Sequence, residues 1–142
     1  MRTHITFKLP TIAILFVATL IACNTDKNYP QKIVGNWVVD SVRLVAPGVP
    51  DSLSHKNESK GQKWNFKNDG TFAVSLNSNN PNTGTYSINN IDTNYFLYLD
   101  NGTTDIKNKA RIVMQIKSIT AKNLTLAADR GPANFTFYLT KY

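Results

Sequence analysis

From Ile33 onward the apolar residues recur at every second position, in short runs broken by polar punctuation. "QKWNFK" (62–67) puts Trp64 and Phe66 on one face, and "GTFAVSL" (70–76) does the same with Phe72, Val74 and Leu76. "TGTYSIN" (83–89) pairs Tyr86 with Ile88, and "ARIVMQIKSI" (110–119) sets Ile112, Met114 and Ile116 against Arg111, Gln115 and Lys117. "NLTLAA" (123–128) and "NFTFYLTKY" (134–142) alternate in the same way, while "IVGNWVVDSVRLV" (33–45) and "NYFLYLD" (94–100) are more continuously apolar. A period of two is the strand period, so these segments predict eight strands. No helical stripe survives beyond the N-terminus.

The punctuation predicts hairpins. Asp-Gly in "KNDGT" (67–71) and Asn-Gly in "DNGT" (100–103) are tight-turn dipeptides, and "TAKN" (120–123) suits a short loop. Such short hops join antiparallel neighbours in chain order and leave no room for crossover helices after residue 62. The exception is "APGVPDSLSHKNESKG" (46–61), long enough to be either a lid or an unremarkable insertion. Eight short antiparallel strands with one apolar face can stack as two sheets or close on themselves. Closure removes every edge, so the expected architecture is all-β, an eight-stranded antiparallel up-and-down β-barrel over residues 33–142.

The N-terminus follows a different pattern. Arg2 and Lys8 supply positive charge, and "TIAILFVATLIA" (11–22) is apolar but short for a bilayer span. "LIAC", Leu20 to Cys23, resembles the lipobox of bacterial lipoproteins. The resemblance implies that residues 1–22 are a cleaved signal peptide. Cys23 would then become the first mature residue, and its thiol would carry a diacylglycerol with acyl chains such as palmitate. Two or more chains are what stable membrane attachment requires. A lone thiol without a partner would otherwise be odd in an exported protein. Asn24 rather than Asp after the cysteine points to the outer membrane of a Gram-negative cell envelope. Residues 23–32 then form a lipidated polar tether, in which Pro30 and the charges argue against secondary structure.

"KIVGNWVVDSV" (32–42) resembles the opening strand of lipocalins, with Gly-x-Trp at Gly35 and Trp37. "WNFKNDGTF" (64–72), "TGTYSI" (83–88) and "FTFYLTK" (135–141) resemble, in that order, the lipocalin-like domain of bacterial lipoproteins. The resemblance implies that Trp37 packs across the closed end of the barrel while Gly35 lets the chain pass close by. Lipocalins usually cover that tryptophan with an arginine near the end of the last strand. Here Lys141 is the only late cation, and Arg130 lies before the last strand as a poorer substitute. The resemblance also implies a small hydrophobic or amphipathic ligand. Its lining would draw on the inward set Trp64, Phe66, Phe72, Tyr86, Leu97, Met114, Phe135 and Phe137, with Tyr86, Tyr95 or Tyr98 as polar handles. Many of these are large, so two outcomes stay open: a ligand-holding cup, or a side-chain-filled barrel acting as an envelope interaction module for a protein or glycan.

Composition narrows the chemistry. The formal net charge is +7, and +5 once Arg2 and Lys8 leave with the signal. The lysines are scattered, as on a solvated surface, and no basic helix or nucleic-acid motif is present. One histidine (His55) and one glutamate (Glu58) remain in the mature chain, with no zinc spacing and no phosphate loop. "DSLSH" (51–55) gathers serines, an aspartate and a histidine, but a catalytic triad draws on distant segments. "DNGTTD" (100–105) lacks the late glutamate of a calcium loop. Neither a catalytic site nor a cofactor is implied.

Overall fold

The computed structural model describes residues 28–50, 59–75, 81–102 and 110–142, and residues 55 and 56 by their backbone alone. A short helix α1 (Tyr29–Ile33) leads into β1 (Gly35–Val45), the two-residue β2 (His55–Lys56), β3 (Lys63–Phe66), β4 (Thr71–Ser75) and β5 (Asn82–Ile91). There follow β6 (Asn94–Asn101), β7 (Arg111–Ile119), β8 (Asn123–Arg130) and β9 (Ala133–Lys141). Every pairing is antiparallel, the barrel strands β1, β3 and β4 to β9 pair in chain order, and β9 returns to pair with β1 from Trp37–Lys141 to Val45–Asn134. The result is the expected closed eight-stranded barrel. β2 is a side pairing on β1 at Val42 and Arg43, beyond the point where β3 ends.

Two bulges keep the apolar residues inside. In β1 the register shifts between Val39 and Ser41, so Asp40 is the extra residue. Trp37 and Val39 face the core before the bulge, and Val42 and Leu44 face it afterwards. An unbroken alternation would have turned Ser41 and Arg43 inward instead. β7 shifts in the same way between Ile116 and Ser118.

The Asp-Gly turn forms as the sequence predicts. Gly70 takes φ +80°, and the Asp69 carboxylate accepts from the Thr71 N–H at 2.9 Å and its hydroxyl at 2.6 Å. The turn is strapped to β5, because Tyr86 donates its N–H to the Gly70 carbonyl and its hydroxyl to the Lys67 carbonyl. The Asn-Gly segment differs from expectation. The β6 ladder runs on, with Asn101 donating to the Ala110 carbonyl and accepting from the Ala110 N–H. The β6–β7 connection is therefore longer than a tight turn, and its residues 103–109 lie outside the described residues. An unanticipated turn joins β5 to β6, where Asp92 (φ 47°) and Thr93 (φ 72°) both adopt the left-handed conformation. It carries no glycine, which is why its sequence does not announce it. Residues 29–32 also depart from expectation. They belong to α1, where Pro30 occupies the first turn and its missing N–H has no helical role. Among the described residues no helix is long and apolar enough to cross a membrane.

Gly84 on β5 is held by contact rather than by φ. A Cβ there would lie 1.9 Å from the Asp100 carbonyl oxygen and 2.9 Å from the Phe72 ring, its cross-strand neighbour. Gly84→Ala is therefore expected to destabilise the barrel by about 3 kcal/mol, read as a lower urea midpoint. A second outcome concerns acid. The two hydrogen bonds from Thr71, side chain first, hold the Asp69 carboxyl below its ordinary value near 3.8, with Lys67 adding to the effect. That stabilisation is fully present above the ordinary value and is lost as pH falls through the lowered one. Asp69→Asn should lower stability at neutral pH and flatten the acid limb of the stability–pH curve.

Candidate functional site: a cup above a plugged base

The chain enters and leaves the barrel at one end, and that end is plugged. Trp37 is fully buried, and its indole N–H donates to the Ile33 carbonyl at 2.7 Å, tying α1 to the barrel floor. The Lys141 ammonium lies 5.2 Å above the Trp37 ring centroid and donates to the Val34 carbonyl at 2.6 Å. Lys141 therefore fills the covering role, and Arg130 sits at the opposite end. Gly35 takes φ +136°, a conformation that calls for glycine, and a Cβ would come within 2.3 Å of the end of the Lys141 side chain and push it from its place. Tyr29 of α1 stacks on Tyr95 at 4.0 Å, completing the plug.

Among the described residues the other end is open. A cavity of about 470 Å³ occupies the half of the barrel nearest the end of β1 and the start of β9. Five of the eight residues expected to line a ligand site are on its wall: Trp64, Phe72, Met114, Phe135 and Phe137. The other three are placed below it, in the packed half. Phe66 is buried edge-on to both Trp64 and Tyr86, Leu97 is fully buried, and the Tyr86 hydroxyl is committed to the β3–β4 turn. The interior is thus neither wholly filled nor wholly hollow: large side chains fill the base and a cup remains above. Small Ala110 and Ala128 on the upper wall help leave that space.

The remaining polar handles sit elsewhere. Tyr95 belongs to the plug. Tyr98 pairs with exposed Val113 and lies under the Arg111 guanidinium, 5.8 Å from it. The rim is instead polar through Ser59, Gln62, Asn82, Asn101 and Arg130. Arg130 was legible in the period of β8, since Leu124, Leu126 and Ala128 lead to it on the inward face. Ser59 and Gln62 show the returning end of the long 46–61 segment bordering the mouth, held by Gly61 and Gln62 pairing with Val39. Residues 51–54 and 57–58 of that segment lie outside the described residues, as does Cys23.

One model of a known family, the lipocalin-like domain, matches residues 33–126. The chain belongs to the lipocalin-like family. The match runs from the end of α1 into the middle of β8, so the plug residue Trp37, the first six barrel strands and half of the seventh lie within it. The lipocalin-like barrel is closed by residues beyond the match, Phe135, Phe137 and Lys141 among them. No curated protein and no solved structure matches the chain.

Within this lipocalin-like cup, Trp64 stands out chemically. Its ring leans on Phe137 at 5.6 Å, and its buried indole N–H has no hydrogen-bond partner among the described residues. An unpaired buried donor costs about 1–3 kcal/mol, which offsets part of what the indole's burial contributes. Trp64→Phe keeps an aromatic ring and removes that donor. It is expected to change stability by no more than about 1 kcal/mol, whereas Phe66→Ala beneath it should lose about 3–5 kcal/mol. Chemical denaturation of the two variants distinguishes them.

Proposed function

We propose that the chain is a non-catalytic, lipid-anchored lipocalin-like lipoprotein that holds a small hydrophobic or amphipathic ligand at the cell envelope. The observation that carries the reading is the cavity of about 470 Å³, walled by apolar side chains and open opposite the plug. Its size falls in the range of small-molecule sites, roughly 300–1,000 Å³. The rival reading, a filled barrel serving only as an interaction module, requires an interior without such a cup. Binding would come from burial of the ligand's apolar surface, at about 25 cal/mol per Å². The anchor in this proposal is the lipidated thiol of Cys23, and the location is the outer membrane of a Gram-negative bacterium. The lipobox-like "LIAC" and Asn24 support it.

Two measurements test the two halves. Ala128 lines the cup, and Ala128→Phe should fill it. The variant is expected to lose binding of the neutral fluorophore N-phenylnaphthylamine by at least about tenfold while its denaturation midpoint holds. Equal binding by both forms would remove the cup from the function. Cys23→Ser should abolish labelling by a palmitate analogue in bacterial cells and move the protein from the membrane to the soluble fraction. Membrane retention without labelling would refute the anchor.

A further inference from the structure

We infer that the cup takes an amphiphilic carboxylate, its head at the mouth on Arg130 and its alkyl tail directed down toward Trp64. The inference rests on the cup reading and adds the ligand's charge and orientation. Arg130 closes the inward series of β8 and pairs in register with Ala133 at the rim. Among the described residues it has no hydrogen-bond or ion-pair partner. The other rim-side arginine, Arg111, is occupied: its guanidinium contacts the Asp100 carboxylate at 2.7 and 3.1 Å. Asp129, next to Arg130, receives the Asn134 side chain rather than the arginine. Among the described residues no aspartate or glutamate lines the cavity, and Arg130 is the one charged residue on its wall.

The mouth therefore offers a guanidinium fork with the amides of Gln62 and Asn82 on the same rim. That set of donors suits a carboxylate and repels an ammonium. Below it the wall turns apolar through Phe135, Met114, Phe137 and Trp64. From the Arg130–Ala133 pair to the Leu126–Phe137 pair is four residues along β8, roughly 13 Å of strand. A carboxylate held at the rim would thus have depth beneath it for a medium-length alkyl chain. The reverse orientation would bury the charge against aromatic rings with no partner.

The test is isothermal titration of the full-length protein with decanoate, decanol and decylamine, for the wild type, Arg130→Gln and Arg130→Lys. The wild type is expected to bind decanoate about tenfold more tightly than decanol, and decylamine most weakly. Arg130→Gln should bring decanoate down to the decanol level and leave decanol unchanged, while Arg130→Lys keeps part of the preference. The preference should also shrink with added salt, because the rim is open to water. Equal wild-type affinity for decanoate and decanol overturns the inference and leaves the cup standing, as does an equal loss of both in Arg130→Gln. Failure of all three amphiphiles while N-phenylnaphthylamine still binds also overturns the inference alone. Failure of that fluorophore as well overturns the cup reading with it. Near-ultraviolet circular dichroism of Arg130→Gln matching the wild type excludes misfolding as the cause.

Discussion

Everything in this barrel hangs from the cluster around Trp37. One buried indole joins three elements, the adjacent α1 through the Ile33 carbonyl, β1 through its own backbone, and the remote β9 through Lys141. A sheet of this kind has two free edges until its last strand meets its first. Lys141 sits at the point of meeting, where Trp37 and Lys141 are also register partners. The cation over the ring and the bond to Val34 add a directional contact to a closure otherwise made by backbone pairing. The tight passage at Gly35 is the geometric condition for both.

With the base sealed in this way, large residues can pack tightly there without filling the whole interior. Phe66, Leu97, Leu124 and Leu139 are almost wholly buried near the plug. Phe135 and Phe137 are only half-buried because one side of each faces the cup. The same eight strands thus divide into a packed half and a hollow half. Substitutions at the mouth should therefore perturb ligand choice more than stability.

The cup also separates two kinds of polarity. Hydrogen-bonding groups near the base are consumed internally, as with the Tyr86 hydroxyl on Lys67 and the Trp37 N–H on Ile33. At the rim, Arg130 is left to solvent or to a ligand. The base of the lipocalin-like barrel is thus satisfied internally, while its mouth carries an uncommitted cation, the feature on which the proposed head-up orientation of a ligand rests.

The sequence alone determined the strand alternation, the antiparallel order and the Asp-Gly turn. Each depends on neighbours within a few residues or on a pattern of period two, and such signals survive without knowledge of the fold. The roles of Gly35 and Trp37 came instead from the resemblance of the first strand to lipocalins. Where the interior is filled and where it is hollow was decided only by the tertiary structure. Trp64 and Phe66 stand two residues apart on one face, yet one walls the cup and the other packs beneath it. The bulges at Asp40 and Lys117, the left-handed Asp92–Thr93 turn and the choice of Lys141 over Arg130 as cover for Trp37 were likewise hidden. Each follows from which strand lies opposite, a relation set by closure of the ring rather than by any local stretch of chain.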